Sequence, residues 1–306
     1  MKNKKDFRKE IGEIIYAVDK VVFGVMPVTK LILIAIICDD HVLVEDVPGT
    51  GKTMLVNTVA NILDLDFKRV QGTPDLLPGD LTGINIFDQN THKFKFTKGP
   101  VFTNMLLFDE INRASPKTQS ALLEAMAEKQ VSTESDTYKL DSPFFVVATQ
   151  NPIEHVGTYP PPQAQMDRFL FRTDLGFPEP RLEMKIMLTE EEEIEKIELP
   201  NLNKKKIFSW RKEYKKIFVK EELVKKLLNV IQKTRDKNIF SLGISPRSSR
   251  KLIKALKASA YIHGRDFVSK DDIFDLFIPT MAHRVSSTTR GEEKLVLKRL
   301  IMEADF

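Results

Sequence analysis

The stretch Glu45-Asp46-Val47-Pro48-Gly49-Thr50-Gly51-Lys52-Thr53 joins an apolar run to a helix-forming segment, Met54 to Leu63. A glycine-rich loop between a strand and a helix is typical of phosphate binding, because its backbone N–H groups can face an anion. In such loops the lysine reaches nucleotide phosphates and the following hydroxyl ligates Mg²⁺, and Lys52 and Thr53 fill these positions. Asp46 replaces the first glycine of the strict pattern. Because it lies at the strand exit, we still expect ATP and Mg²⁺ to bind.

Three apolar runs have the composition of buried β-strands, namely His41 to Glu45, Met105 to Asp109 and Phe144 to Thr149. Between the second and third runs, Ser120 to Gln130 has apolar residues at helical spacing. Continuous apolar strands separated by helices predict a parallel sheet with helices on both faces. The first half of the chain is therefore predicted to be an α/β domain.

The second half of the chain has helical patterns and no strand comparable to those of the first half. Apolar residues recur at helical spacing from Leu223 to Ile231 and from Leu252 to Ala260. Ser269, followed by acids and an apolar run, is typical of an N-capped helix start. The stretch Gly176-Phe177-Pro178-Glu179-Pro180 has the composition of a boundary. We predict an α/β domain over residues 1–178, a linker over 179–200 and a smaller all-α domain over 201–306.

Polar residues follow two of the predicted strands. The run Leu106-Leu107-Phe108-Asp109-Glu110 ends in two acids, a weak signal alone but a strong one downstream of a phosphate loop. Asp109 is expected to hold the magnesium shell, and Glu110 to orient and deprotonate the attacking water. After the next strand, Asn151 could position that water against the γ-phosphate, although Asn-Pro is also a common strand-ending turn.

Arginines are candidates for neutralising the negative charge that builds up during phosphoryl transfer. Arg168, in Gln165-Met166-Asp167-Arg168-Phe169, and Arg247, in Ser245-Pro246-Arg247, are the two candidates. For each, the alternative is a surface salt bridge, and composition alone does not single them out. Arg113, beside the two acids, either acts across a subunit interface or forms a structural ion pair, and both interpretations stay open.

Composition and charge exclude several classes of protein. The chain has 306 residues, of which 42% are hydrophobic and 29% charged, as in a soluble globular protein of about two domains. Its longest apolar run, Leu31 to Cys38, has eight residues, whereas a spanning helix needs roughly 18 or more. No apolar signal core follows the basic N-terminus, and the single cysteine excludes an intrachain disulfide. We therefore expect a cytoplasmic protein without a membrane span.

The remaining charge and metal signals are modest. The net charge of +4 does not by itself argue for nucleic acid, and we interpret the lysine and glutamate runs of the second half as solvated helix faces. The five histidines lie in unrelated segments without metal-ligand spacing. Magnesium is therefore the only metal that we expect.

Taken in order, these motifs carry a family resemblance. The chain resembles the MoxR branch of the AAA+ ATPases from about Val22 to Arg284, and the middle segments are specific to this branch. Besides the phosphate loop, the matching segments are Gln71-Gly72-Thr73-Pro74-Asp75-Leu76-Leu77-Pro78, Asp109-Glu110-Ile111-Asn112-Arg113-Ala114, Lys117-Thr118-Gln119-Ser120-Ala121-Leu122-Leu123-Glu124-Ala125-Met126, Ala148-Thr149-Gln150-Asn151-Pro152-Ile153-Glu154, Gly157-Thr158-Tyr159-Pro160 and Asp167-Arg168-Phe169.

The resemblance implies a fold and a set of roles. The fold is an AAA+ P-loop αβα sandwich with a parallel sheet, followed by a smaller all-α lid domain, and two hairpins are expected over residues 83–99 and 131–140. The resemblance implies that Lys52 and Thr53 are Walker A residues, that Asp109 and Glu110 are Walker B residues, and that Thr53 and Asp109 ligate magnesium. It implies that Asn151 is sensor 1, that Arg247 is sensor 2, and that Arg168 is a finger that reaches a neighbouring subunit's nucleotide. Further nucleotide contacts are implied for Asp46, Val47, Pro48, Gly49, Thr50 and Gly51, and an adenine border for Val22, Phe23 and Gly24.

The resemblance also implies a function. It points to an ATPase that couples Mg-ATP hydrolysis to chaperone-like remodelling, assembly or metal-cofactor maturation of client proteins. We expect a ring, specifically a hexamer, and a partner protein that carries a von Willebrand factor A domain. The chain ends at Phe306, soon after the lid, so we expect no appended substrate-recognition domain.

Two alternative functions are weighed against this one. A nucleic-acid-linked motor would use the inserted hairpin and the lysine-rich lid, but the segment Ile84 to Lys98 mixes acids with lysines and no DNA-binding motif is present. A nucleotide-switched scaffold with negligible turnover is disfavoured because every expected hydrolytic position is filled.

Overall fold

The computed structural model describes residues 2–47, 49–90, 92–133, 136–152, 157–289, 291–304 and 306. The first part of the chain contains α1 (Lys2–Val21), α2 (Met26–Cys38), β1 (His41–Glu45), α3 (Lys52–Ile62), β2 (Phe67–Gln71), α4 (Pro78–Thr82), β3 (Gly83–Asp88), β4 (Lys93–Lys98), β5 (Met105–Asp109), α5 (Pro116–Glu128), β6 (Gln130–Ser132), β7 (Thr137–Lys139), β8 (Phe145–Gln150), α6 (Gln163–Met166) and β9 (Phe169–Thr173). The later part contains α7 (Pro180–Leu188), α8 (Glu191–Glu195), α9 (Lys205–Glu213), α10 (Glu221–Lys233), β10 (Phe240–Leu242), α11 (Pro246–Ile262), α12 (Lys270–Met281), β11 (Ser286–Ser287) and α13 (Glu293–Met302).

The central sheet has five strands in the order β2-β5-β8-β1-β9, and every neighbouring pair is parallel. Strands β1, β5 and β8 are buried over almost their whole length because apolar side chains face helices on both sides. All three predicted strands are confirmed, and so is the α/β class. The sheet fixes where the polar residues lie, since parallel strands bring their carboxyl ends to one edge.

The two flanking strands, β2 and β9, were not predicted. Strand β2 carries Lys68 and Arg69 and is largely exposed, so it lacks the apolar run that marks a central strand. Strand β9 lies at the other edge of the sheet and pairs only with β1. Its sequence, Phe169 to Thr173, has a buried first half and polar residues at its end.

Both expected hairpins are present. Strands β3 and β4 pair in antiparallel register from Gly83–Lys98 to Asp88–Lys93, and β6 pairs with β7 in the same sense. The ring of Phe96 stacks on that of Tyr138, with centroids 4.1 Å apart, so the hairpins support each other. Residues 91, 134 and 135 of the predicted hairpin segments lie outside the described residues.

The later part of the chain is a helical lid, as predicted, with one addition. Strands β10 and β11 form a small antiparallel pair. No periodic pattern predicts them, because they are only three and two residues long. Ser269 and Asp272 form the capping box of α12, which confirms the predicted helix start. The domain boundaries at residues 178 and 201 stay predictions. Among the described residues, no helix has the length and apolar character needed to cross a membrane.

Candidate nucleotide site

The phosphate loop has the backbone that its sequence requires. Gly49 and Gly51 have φ of +87° and +82°, in the left-handed region that glycine adopts without steric cost. Gly51 is the N-cap of α3, which begins at Lys52, two residues before the predicted start. The first turn of α3 therefore points its unpaired N–H groups at the loop, as an anion site needs. Pro48, predicted to contact the nucleotide, lies outside the described residues.

Asp46 has a structural contact that explains its presence in the loop. The residue is 8% exposed, and its carboxylate accepts hydrogen bonds from the backbone N–H of Val47 at 2.8 Å and of Leu175 at 3.3 Å. Leu175 follows β9, which lies parallel to β1, so Asp46 connects the loop to the segment that leaves the carboxyl end of the neighbouring strand. A glycine at this position could not make either bond.

The ammonium group of Lys52 lies across the loop. Its Nζ donates to the carbonyl oxygen of Val47 at 2.5 Å and to the hydroxyl of Thr50 at 3.2 Å. Burial lowers the pKa of Lys52, and the nearby carboxylates of Asp46, Asp109 and Glu110 oppose this effect. An anionic phosphate in the loop would replace these weak acceptors with a full negative charge.

A cavity of about 360 Å³ lies over the loop and gathers the predicted catalytic groups. It is lined by Asp46, Gly49, Gly51, Lys52, Thr53, Met54, Arg69, Gln71, Asp109, Glu110, Thr149, Gln150 and Asn151. The residues come from the ends of β1, β2, β5 and β8 and from the start of α3. Ligands of open α/β sheets bind at this carboxyl edge.

Asp109 is held at the end of β5 by two donors. Arg69 forms an ion pair with it, with Nη2 2.7 Å from Oδ2, and the hydroxyl of Thr149 donates to Oδ1 at 2.5 Å. Arg69 comes from β2 and Thr149 from β8, the strands on either side of β5. The carboxylate is therefore fixed in orientation before any nucleotide enters.

Glu110 is held in a different way. Its backbone is left-handed, with φ of +56°, and its N–H donates to the Thr149 hydroxyl at 2.9 Å. Its carboxylate accepts from the side-chain amide of Gln71 at 2.8 Å and from Arg113 at 3.1 Å. Arg113 thus forms the structural ion pair, one of the two interpretations that its sequence position left open.

Gly72 lets the strand that carries Gln71 approach Glu110. A Cβ atom at Gly72 would lie 2.3 Å from the carbonyl oxygen of Glu110 and 3.0 Å from that of Asp109. Both contacts are to backbone, so the side chain could be accommodated only by moving the segment that carries the acids.

We therefore expect Gly72→Ala to lower stability by about 1–3 kcal/mol, as overpacking does, and to lower the rate of phosphate release as well. Gly12→Ala is the matched control, because a Cβ built there meets nothing within 4 Å beyond its chain neighbours and the backbone of its own helix. Denaturant unfolding and phosphate release from both variants test this. Equal behaviour of the two variants would contradict the close approach.

Asn151 lines the cavity at the end of β8 and is largely buried. Its carbonyl oxygen accepts from the side-chain amide of Asn112 at 3.4 Å. The structure therefore brings Asn151 to the acids, as its order in the sequence suggested. Ile153 and Glu154, part of the same matching segment, lie outside the described residues.

The segment Val22-Phe23-Gly24 borders the loop without lining the cavity. Val22 Cγ1 lies 3.1 Å from where a Cβ of Gly51 would be, and Leu182 of α7 lies 3.2 Å from the equivalent position at Gly24. Lys185 of α7 places its ammonium 4.2 Å from the centre of the Phe23 ring. The predicted adenine border therefore lies between the phosphate loop and the first helix after the α/β part.

Arg168 and Arg247 do not line the cavity over the loop. They line a second cavity, of about 510 Å³, together with Asp39, Asp40, His41, Met126, Ala127, Lys129, Pro246, Arg250, Lys251 and Lys254. Arg168 directly precedes β9, at the amino ends of the strands, whereas the phosphate loop lies at their carboxyl ends. A five-residue strand spans about 17 Å. The two arginines are therefore brought together, and both are kept away from the loop of their own chain.

Comparisons with known proteins agree with this architecture. A model of the ATPase family associated with various cellular activities matches residues 41–171, and a model of the AAA lid domain matches residues 232–300. The protein called Chaperone MoxR1 of Mycobacterium tuberculosis is 38% identical over 287 residues, covering 90% of this chain and 75% of its own. The chain belongs to the MoxR family of AAA+ ATPases.

Two further relatives match nearly the whole length of this chain. The uncharacterised protein YeaC of Bacillus subtilis is 42% identical over 287 residues, covering 93% of this chain and 89% of YeaC. The crystal structure of a candidate ATPase from Cytophaga hutchinsonii superposes with a TM-score of 0.89 at 36% identity, over 99% of this chain and 97% of the other. This chain thus shares both its αβα part and its helical lid with that structure.

The donor set of this MoxR-family site fits a magnesium ion. The hydroxyl of Thr53 and the carboxylate of Asp109 line one cavity, and both offer the hard oxygen ligands that Mg²⁺ prefers. Arg69 forms an ion pair with one oxygen of that carboxylate, so it would compete with Mg²⁺ for the negative charge of Asp109.

Sequence reasoning missed Arg69 and gave Gln71 no role. Both lie on β2, and both have side chains that bind the acids at the end of β5. Their spacing of two residues puts them on one face of a strand, a signal that could have been used once β2 was known to neighbour β5.

Proposed function

We propose that this MoxR-family protein hydrolyses Mg-ATP in the cavity over the phosphate loop. The observation that carries the proposal is that one cavity brings together Lys52, Asp109 and Glu110 at the carboxyl edge of a parallel sheet. Thr53 and Asp109 would hold Mg²⁺, which when bound neutralises charge on the phosphate oxygens. The loop amides and Lys52 would hold the β- and γ-phosphates.

In the proposed reaction, a water oxygen bonds to the γ-phosphorus while the bond from that phosphorus to the β–γ bridging oxygen breaks. Glu110 accepts the proton of the attacking water, and Asn151 orients that water. The products are ADP and inorganic phosphate. Gln71 and Arg113, which hold the Glu110 carboxylate, would set its direction.

The second cavity supports the proposal that each site is completed by a neighbouring subunit. Arg168 and Arg247 lie together at the opposite edge of the sheet, with the Arg247 side chain 64% exposed. A chain could bring Arg168 to its own loop only by rearranging the sheet that contains β9, and Arg247 only by moving the lid helix α11. In a closed ring each subunit would offer this cavity to the loop of the next one. We propose a hexameric ring, and in it Arg247 acts from the same side as Arg168.

We further propose that hydrolysis drives chaperone-like remodelling, assembly or metal-cofactor maturation of client proteins. The name Chaperone MoxR1 of a 38% identical relative supports a chaperone activity. A partner with a von Willebrand factor A domain follows from the family resemblance alone. The buried free thiol of Cys38 supports a cytoplasmic location, where thiols stay reduced.

A dilution series tests the shared active site. Because each site needs two subunits, phosphate release per subunit should rise with protein concentration and with ring formation measured by light scattering. Chelation of Mg²⁺ with EDTA should abolish the activity at every concentration. Constant specific activity from a monomer would refute the ring, and absence of turnover would favour the scaffold.

Client remodelling needs a separate experiment. Glu110→Gln loaded with ATP should retain clients and partners on affinity resin, and the same variant without nucleotide should not. Recovery of protein would support the chaperone. Recovery of nucleic acid, with binding that falls steeply as salt rises, would favour the nucleic-acid motor instead.

A further inference from the structure

A buried lysine from the lid holds the backbone that carries Arg168. Lys251 lies in α11, its side chain is 12% exposed, and its Nζ makes three hydrogen bonds. It donates to the carbonyl oxygens of Asp167 at 2.7 Å and of Arg168 at 3.1 Å, and to the Asp40 carboxylate at 3.1 Å. An ammonium group has three N–H donors, so all of them are used.

Arg284 continues this contact along the chain. Its side chain is only 2% exposed, and its guanidinium donates to the carbonyl oxygens of Phe169 and Leu170. The carbonyl oxygens of residues 167 to 170 are thus all bound by two cations of the lid. Strand β9 is an edge strand, and β1 is its only neighbour in the sheet. The lid therefore covers the unpaired edge of the sheet next to Arg168.

The carboxylate of Asp167 links the same cations to the second arginine. One of its oxygens accepts from Arg284 at 2.7 Å and from the hydroxyl of Ser248 at 3.3 Å. The other lies 3.5 Å from Nε of Arg247. Arg168 and Arg247, two of the three arginines that line the second cavity, are therefore both connected to the largely buried cluster of Lys251, Asp167 and Arg284.

Because these cations are largely buried, losing their contacts would be energetically costly. Burial lowers the pKa of Lys251, and Asp40 is the main group that opposes this effect. A buried cation that lost its acceptors would be strongly unfavourable, so the lid and the Arg168 segment must keep their relative position. The contact from Lys251 is to the backbone of Arg168, a residue that also lines the second cavity.

We propose that Lys251 and Arg284 are positioning residues that aim Arg168 at the nucleotide of the neighbouring subunit. The inference rests on the proposed role of Arg168 in that site. It adds that the lid of one subunit sets the catalytic geometry in the next. Neither cation lines the cavity over the subunit's own phosphate loop.

The first test separates turnover from nucleotide binding. Lys251→Met keeps the length of the side chain and removes its three donors. It should lower kcat about 10–100-fold, the cost of misplacing a catalytic group by roughly 1 Å, with KM for ATP and affinity for ADP changed less than about twofold. Lys225→Met, on an exposed lysine of α10, is the control and should match the wild type.

The second test asks where the defect acts. A subunit with Lys251→Met keeps an intact phosphate loop, and a subunit with Glu110→Gln keeps an intact Arg168. Mixed rings of the two should therefore hydrolyse ATP faster than the sum of the separate proteins. Lys251→Met mixed with Arg168→Ala should show no such gain, because both lack an aimed arginine. A general folding defect would not produce this pattern.

The outcomes distinguish the inference from the proposed function. If Arg168→Ala itself keeps wild-type turnover, the shared site and this inference both fall. If Arg168→Ala is inactive and is rescued by Glu110→Gln, but Lys251→Met keeps wild-type kcat or is not rescued, the inference alone is overturned. Should Lys251→Met fail to fold, Lys251→Gln, which keeps an amide donor, must show an intermediate kcat and the same rescue.

Discussion

Glu110→Gln should lower kcat of ATP hydrolysis by about 10²–10⁴-fold, the usual contribution of a positioned proton acceptor. The substitution keeps the shape of the side chain, and its amide oxygen can still accept from Gln71 and Arg113, which lie 2.8 and 3.1 Å from the present carboxylate. The ability to take a proton from water is lost, and so is the negative charge that pairs with Arg113, while a hydrogen-bond acceptor remains. ATP affinity should therefore stay close to that of the wild type.

Phosphate release and equilibrium binding of ATP measure these two effects on one protein. Glu124→Gln, on an exposed acid of α5, is the matched control and should leave turnover unchanged. Turnover of Glu110→Gln close to that of the wild type would remove Glu110 from the reaction. A parallel loss of ATP affinity would instead give it a role in binding.

The parts of the fold that the sequence predicts are those governed by local pattern. Continuous apolar runs predicted β1, β5 and β8, and the glycine-rich stretch predicted the loop between β1 and α3. Each signal is contained within a few neighbouring residues. The order of the motifs along the chain then placed Lys52, Asp109 and Asn151 at one edge of the sheet, because parallel strands end together.

Contacts between distant residues escaped prediction. The ion pair of Arg69 with Asp109 joins residues 40 positions apart, and the bonds from Lys251 to the Arg168 segment span 83 and 84. Which strand neighbours which decides such pairs, and β2 was not visible as a strand. The placement of Arg247 depends in the same way on how the lid docks, which no motif encodes.

The same docking makes Arg168→Ala the second informative substitution. An arginine that neutralises the transferring phosphoryl group contributes about 10³–10⁵-fold to kcat, so this loss is expected in the assembled protein. Because Arg168 lies in the second cavity, away from its own phosphate loop, the affinity of each subunit for ADP should be unchanged. Arg299→Ala, on an exposed position of α13, is the control.

Mixing experiments decide from which subunit Arg168 acts. Arg168→Ala has an intact phosphate loop, and Glu110→Gln has an intact arginine, so mixed rings contain some complete sites between unlike neighbours. Turnover above the sum of the two separate proteins is the expected result. If Arg168 instead acted in its own subunit, mixing would not raise turnover. Arg168 would then have to move from the second cavity to its own phosphate loop during the catalytic cycle. A rise in turnover on mixing would therefore show that Arg168 of one subunit completes the active site of its neighbour.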